Sequence, residues 1–261
     1  MIVRKDSITQ SRTRSTQERF LAIAYLAIMF GITQAHADSI DQALADPGRS
    51  SADRDRDITS LPAETLRFFG VPSSGVVLDL FAGGGYYSEI LTRVMGNQGT
   101  VYLHNNQAYL GFAGEALEER LRGDRLPNVV RYDREIDAID LPENSVDLVL
   151  MVMTYHDLYY VTDGWKLDPD SFFDTVHRVL KPGGVLAIVD HAAAPGSGST
   201  AAQELHRIDK EFARRDIEGR GFKFDGESTL LENPQDPLTA SVFDPAIRGR
   251  TSRFMYRFVE P

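Results

Sequence analysis

The sequence predicts an α/β protein: a single doubly wound, Rossmann-like domain with a seven-stranded, mostly parallel sheet and helices on both faces. Three observations carry this. From Gly75 onward, short apolar runs alternate with segments whose apolar residues recur at helical spacing, the pattern of parallel strands joined by crossover helices. The run V-V-L-D-L (76–80) passes into Gly83-Gly84-Gly85 and then into a helical segment. Val146–Met153 is almost wholly apolar, as a parallel strand covered on both faces requires.

Val76–Leu80 is the first strand. Tyr87, Ile90, Leu91, Val94 and Met95 then share a helical face until Gly96 ends it. Thr100–Leu103 reads as the second strand, Tyr109–Arg122 as a helix, and Asn128–Tyr132 and Val146–Met153 as the third and fourth strands. Phe172, Phe173, Val176, Val179 and Leu180 form another amphipathic helix, stopped by Lys181-Pro182-Gly183-Gly184, and Val185–Val189 is the fifth strand. One helix is expected from about Ala201 to Glu218, which would put His206 and Asp209 on one face. Strands near Phe222–Leu230 and Ser252–Val259 complete the seven. The long, proline-rich segment 231–250 between them reads as a lid. In such sheets ligands bind beyond the carboxyl ends of the strands, where strand order reverses, so the loops after the first, second, fourth and fifth strands should line the site.

With 261 residues, 42% of them hydrophobic, the chain can bury a sizeable core and has a globular composition. Its net charge of −10, from 28 basic and 38 acidic residues, offers no footprint for a phosphate backbone, so nucleic acid is not an expected partner. Residues 1–37 read as a signal peptide. Arg4, Lys5, Arg12, Arg14 and Arg19 precede an uncharged stretch over 20–32, and Ala35-His36-Ala37 offers small residues at a cleavage position. That stretch is too short to span a bilayer comfortably. Export to the periplasm with cleavage before Asp38, and no stable membrane insertion, is therefore expected, against an uncleaved anchor or an amphipathic first helix. The mature chain would hold 23 basic against 36 acidic residues and, with no Cys, no disulfide. Residues 38–60, with Pro47-Gly48 and A-D-R-D-R-D, read as an N-terminal helical or irregular arm before a domain over 61–261, which opens with a helix from Glu64 to Phe69.

The glycine loop alone leaves its ligand open. Against the dinucleotide pattern G-x-G-x-x-G/A it offers Gly83, Gly85 and then Ser88, and the acid expected about 20 residues on is missing, because the second strand runs into His104-Asn105-Asn106. The phosphate-loop pattern fails outright, and a tight strand-to-helix turn without a ligand is a further reading.

The wider set of motifs resembles the class I S-adenosylmethionine-dependent methyltransferases over most of residues 60–261. V-L-D-L-F-A-G-G-G is similar to their first motif in its D-x-F-x-G-x-G version, with Phe81 in place of the first glycine. I-D-A-I-D-L-P-E-N-S-V-D-L-V-L (136–150) resembles their third-strand turn and fourth strand, and R-V-L-K-P-G-G-V-L-A-I-V-D (178–190) their late motif. More closely, the leader together with T-Y-H-D-L, D-H-A-A-A-P-G-S-G, H-R-I-D and S-V-F-D-P-A-I-R-G resembles a group of predicted exported bacterial methyltransferases. The resemblance implies S-adenosyl-L-methionine as cofactor and methyl transfer to a small-molecule acceptor. It places Gly83 and Gly85 against the methionine and ribose part, Asp79 at the amino group, Asn105 at the ribose hydroxyls in place of an acid, and Asp137 with the Ala138 backbone at adenine. A non-catalytic nucleotide-binding or stress-related protein on the same scaffold, and a dinucleotide-dependent oxidoreductase, remain alternatives.

A displacement at a sulfonium methyl needs an aligned nucleophile and a group to take any proton it carries. Tyr155-His156-Asp157 follows the fourth strand, so His156, assisted by Tyr155, is the first candidate for a base or orienting group. A structural histidine bonded to backbone is the competing reading. Asp190-His191 after the fifth strand is the second candidate pair. His156, His191, His206 and Asp190 are possible metal ligands, but no short metal motif supports them and no metal is assigned. Tyr155, Tyr159, Tyr160 and Trp165 either wall an apolar substrate or pack beneath the loop 161–168.

Overall fold

The computed structural model describes residues 39–261, so the expected leader and its cleavage position lie outside the described residues. The elements follow one another as α1 (39–45), α2 (Ser51–Ser60), α3 (Pro62–Phe69), β1 (Gly75–Leu80), α4 (Tyr86–Met95), β2 (Gly99–Asn105), α5 (Gln107–Leu121), β3 (Val129–Asp133) and β4 (Val146–Val152). A hairpin of β5 (Val161–Thr162) and β6 (Trp165–Lys166) leads into α6 (Pro169–Val179), β7 (Leu180–His191), α7 (Ala201–Leu205), α8 (Lys210–Gly219), β8 (Lys223–Ser228) and β9 (Arg253–Val259).

Seven strands form one sheet in the order β3-β2-β1-β4-β7-β9-β8. The first five in this order run parallel, and β9 is antiparallel to both β7 and β8. The order reverses between β1 and β4, which brings their carboxyl ends side by side: Asp79 of β1 is in register with Leu103 of β2 and Leu150 of β4.

The period-two alternation of a strand splits the core into two layers. Val77, Leu148, Leu150, Ala187 and Val189 face one side and pack with Ile40, Leu66, Phe69, Ile90 and Leu91 of α1, α3 and α4. Leu78, Val149, Met151, Leu186 and Ile188 face the other and pack with Phe172, Phe173 and Val176 of α6 and Ala213 and Ile217 of α8. Because each central strand is apolar on both faces, β4 is buried almost throughout.

The structure corrects three readings. The expected helix 201–218 is broken: His206 takes a left-handed φ of 52° as the C-cap of α7, and Asp209 caps α8 by accepting from Glu211 N–H, so the two residues do not share a helix face. The cause is Arg207-Ile208, which leaves the helix to bury itself. Ile208 N–H donates to His191 O, and Ile208 O accepts from Ala193 N–H, a short bridge alongside the end of β7. Second, Lys181–Gly184 is not merely a helix stop. It is a bulge inside β7, since Leu180 pairs with Val146 and Val185 already pairs with Leu148. Third, the loop 161–168 contains the hairpin β5–β6, for which Asp163-Gly164, with Gly164 at φ 75°, is the sequence signal.

Segment 231–250 is tied down at Asp236. The Arg207 guanidinium and the Asp236 carboxylate have no solvent exposure and meet through two hydrogen bonds of 2.9 and 3.0 Å. Asp236 also accepts from Ser252 N–H, and Arg207 donates to Ala192 O and Ala240 O. A buried pair of this kind adds little over an apolar pair, but removing one partner strands the other charge. Arg207→Met is therefore expected to lower unfolding free energy by about 3–5 kcal/mol, and Arg207→Met/Asp236→Leu to recover most of it, measured by urea denaturation.

Candidate active site

The last but one residue of β1 is Asp79, a buried carboxyl that accepts from Ser88 Oγ–H at 2.6 Å. Ser88, which spoils the dinucleotide pattern, thus serves to hold Asp79. Burial pushes this carboxyl from 3.8 up to about 7, and the Ser88 hydrogen bond and Arg56 only partly offset it.

The chain then turns through Phe81, which holds a left-handed φ of 53° that a glycine would take without strain. Its ring contacts His104, Tyr109 and Trp165 at centroid distances of 5.2, 5.1 and 5.4 Å, a cluster that fixes the residue despite that backbone. Gly83 has φ 58°, and a Cβ there would approach nothing closer than 3.9 Å; the constraint is conformational, with open space over the loop. At Gly85, with φ 76°, a Cβ would sit 2.7 Å from Leu103 Cδ1.

The end of β2 clasps this turn. Asn105 Oδ1 accepts from Gly83 N–H at 2.8 Å, and its amide donates to Gly83 O at 2.9 Å. His104 Nδ1 accepts from Phe81 N–H and His104 O from Ala82 N–H, so the Nε2–H donates to Arg134 O. Burial lowers the His104 pKa to about 4 and keeps the ring neutral, as this tautomer demands. Both side chains therefore shape the loop, and the Asn105 amide is committed to Gly83. After β3, Asp137 and Ala138 lie exposed in a single 3-10 turn over Ile136–Ala138.

Beyond β4 the backbone turns at Met153, φ 60°, and presents Thr154, whose buried Oγ1 has no hydrogen-bond partner among the described residues. His156 follows. Its backbone N–H donates to Asp190 Oδ2 at 2.6 Å and its Nδ1–H to Asp190 Oδ1 at 2.8 Å, so β7 fixes the ring. Nε2 lies 3.2 Å from Asp157 Oδ1, and Tyr109 O–H donates to Asp157 Oδ2 at 2.7 Å. Burial alone would lower the His156 pKa, but the Asp190 charge and hydrogen bond, with Asp157, outweigh it and raise the pKa above 6.5.

The predicted site residues separate into two groups. Asp79, Phe81, Gly83, Gly85, Asn105, His156 and Asp190 gather at the reversal point of the sheet. Tyr155 does not: it is fully buried and its O–H turns away to Asp216 of α8, which Tyr159 also binds. It is a core residue rather than part of the reacting group. His191 is likewise turned aside, with Nδ1 sharing a hydrogen bond with Thr251 Oγ1 at 2.7 Å. Burial, then the neighbouring His156, Arg253 and Arg207, hold its pKa well below 6.5. Trp165 packs on Phe81 and Tyr109, so it is packing rather than a free wall. Sequence reasoning assigned no role to Tyr109, Thr154, Asp157 or Ser88. Only Asp157 had a signal, its place beside His156.

The proton on Asp79 gives a pH signature. Folded protein holds it up to about 7 while the unfolded chain releases it near 3.8, so this group's contribution to stability falls as pH rises through that window and is constant above it. Asp79→Asn is expected to gain thermal stability relative to wild type progressively across the window, read by melting at each pH. A constant difference would show that the carboxyl ionises normally.

Comparison with known proteins agrees with this layout. Residues 78–188 match a family described as "Methyltransferase domain". The chain is 24% identical over 190 residues to the ubiquinone/menaquinone biosynthesis C-methyltransferase UbiE of Enterobacter sp. (strain 638), covering 71% of each chain. A solved S-adenosylmethionine-dependent methyltransferase from Aquifex aeolicus superimposes with a TM-score of 0.59 at 23% identity, over 86% of this chain and 98% of that one. The geranyl diphosphate C-methyltransferase of Streptomyces coelicolor A3(2) does so with 0.56 at 15% identity, over 84% of each. With the sheet order and the glycine turn after β1, these matches show that the chain has the fold of the class I S-adenosylmethionine-dependent methyltransferases.

Proposed function

We propose that the protein transfers the methyl group of S-adenosylmethionine to a small-molecule acceptor held beside His156. The observation that carries this is convergence: the glycine turn after β1, the Asp137 turn after β3 and the His156–Asp190 pair after β4 and β7 all open at the end of the sheet where strand order reverses. The cofactor, when bound, supplies a methyl group on a positively charged sulfur.

The residues present fit it. Gly83 offers bare backbone with open space over it, and the unpartnered Thr154 Oγ1 is a buried polar atom that a ligand would satisfy. The Asp79 carboxyl sits beneath the turn, and the exposed Asp137 and Ala138 are suited to the adenine edge. Asn105 departs from the expected ribose contact, because its amide already serves Gly83; its role in this reading is to keep the cradle in shape. Asp190 holds the His156 ring so that Nε2 orients the acceptor, with Asp157 and Tyr109 as its polar surroundings. The UbiE and geranyl diphosphate enzymes are C-methyltransferases by name, which supports a small acceptor.

Calorimetry with S-adenosylhomocysteine tests the cofactor assignment. Gly83→Val is expected to abolish binding, since a β-branched side chain does not adopt φ 58° without strain, and Asp137→Ala to weaken it about tenfold, roughly 1.4 kcal/mol. Binding of NADH instead would favour an oxidoreductase. Binding of neither would leave a scaffold without methyl transfer.

The charge pattern of residues 1–37 supports export, and the periplasm is the compartment we assign. Expression of the full chain in a Gram-negative host is expected to yield periplasmic protein whose N-terminal sequence begins at Asp38. Retention of the leader in the cytoplasmic fraction would refute this.

A further inference from the structure

Two imidazoles and a carboxylate converge between the turn after β4 and the break separating α7 from α8. His156 Nε2 lies 3.2 Å, and His206 Nδ1 3.7 Å, from the same oxygen, Asp157 Oδ1. Each of His156, Asp157 and His206 offers a ligand atom within 4.8 Å of those of the other two. Ligand atoms around a zinc-sized ion, each roughly 2.0–2.2 Å from it, stand about 3.0–3.5 Å apart, close to the two measured separations.

The surroundings orient each donor. His156 gives its Nδ1–H to Asp190, so Nε2 is the nitrogen left to bind, the carboxylate–histidine arrangement that supports metal ligands. Tyr109 occupies Asp157 Oδ2 and turns Oδ1 towards the histidines, while Trp165 Nε1–H fixes the Asp157 carbonyl at 2.9 Å. Nε2 and Asp157 Oδ1 at 3.2 Å are held together by a positive charge, either a proton on Nε2 or a metal ion between them. His206 reaches the cluster only by adopting its left-handed φ of 52°, an uncommon conformation for a residue with a side chain, and Tyr160 and Phe243 flank its ring at 4.6 and 4.9 Å. All three donors come from T-Y-H-D-L and H-R-I-D, two of the four segments by which the chain resembles predicted exported bacterial methyltransferases.

The geometry points to a divalent-metal site formed by His156, Asp157 and His206, suited to a first-row ion such as zinc. Two imidazoles and one carboxylate leave coordination positions open, on the side where the His206 side chain is 21% exposed. The open positions take an oxygen ligand, a hydroxyl, phenol or enolisable carbonyl of the acceptor. That last clause rests on the methyl-transfer reading; the metal site does not.

Full-chain protein stripped with a chelator and titrated with Zn2+ by calorimetry tests the site, with Co2+ as a spectroscopic probe. The expected result is one ion per chain, a ligand-field spectrum for Co2+, and binding weakened at least about tenfold in His206→Ala, whose partly exposed side chain can be removed without opening the core. Asp157→Asn should act in the same direction. His177→Ala, which removes the imidazole paired with Glu260 at the other end of the sheet, should leave Zn2+ affinity unchanged. Absence of stoichiometric binding, or equal affinity in wild type and His206→Ala, would overturn the site and leave a protonated His156 between its two carboxylates. S-adenosylhomocysteine titrated into the same stripped protein reads the cofactor assignment separately, so either conclusion can fail without the other.

Discussion

The candidate site depends on one buried carboxylate. Asp190, at the end of β7, has no solvent exposure and is met by three donors: the backbone N–H groups of His156 and His191 and the Nδ1–H of His156. A carboxylate so deep in the protein would be costly without them. Satisfying it draws the turn after β4 onto β7 and sets the ring of His156, and Nε2 is thereby aimed at Asp157. Through Asp157 the same constraint reaches Tyr109 on α5 and so the aromatic cluster around Phe81.

The glycine turn is held from the other side by the end of β2. Aromatic packing fixes Phe81 at the start of the turn, and hydrogen bonds hold the backbone of the residues beyond it, where the glycines have no side chain to pack. His104 and Asn105 between them bond Phe81, Ala82 and Gly83. Arg120 extends the support outward: it bonds Gly84 O, Asp53 of α2 and Glu89 of α4. The N-terminal segment 39–60 is thus joined to the cradle by charge as well as by the burial of Ile40 and Ala43. The loop is pre-organised by three separate parts of the chain, and its shape does not wait on the ligand.

Segment 206–209 illustrates how one short stretch can serve structure and site together. His206 enters the polar cluster, Arg207 forms the buried pair with Asp236, Ile208 packs beside β7, and Asp209 caps α8 and accepts from Gly196 N–H. A continuous helix here would satisfy local propensity but would leave these four side chains on different faces. Tertiary burial outweighs helix propensity, which amounts to only a few tenths of a kcal/mol per residue.

The sequence by itself determined the sheet, because apolar periodicity reports directly on which faces must be buried, and strands apolar on both faces can only be central in a two-layered cover. It also marked the place of the candidate site, since the run V-V-L-D-L-F-A-G-G-G carries its own turn chemistry. The tertiary structure alone decided which chemistry-bearing side chains meet. Tyr155, His156 and Asp157 are neighbours in the chain, yet the first enters the core against Asp216 and the other two enter the site. His191 lies beside Asp190 and turns to Thr251, whereas His206, 50 residues from His156, approaches the Asp157 carboxylate that His156 also faces. Local pattern encodes the face a residue occupies. Which partner it finds there depends on contacts between segments far apart in sequence, and those exist only once the sheet has brought the segments together.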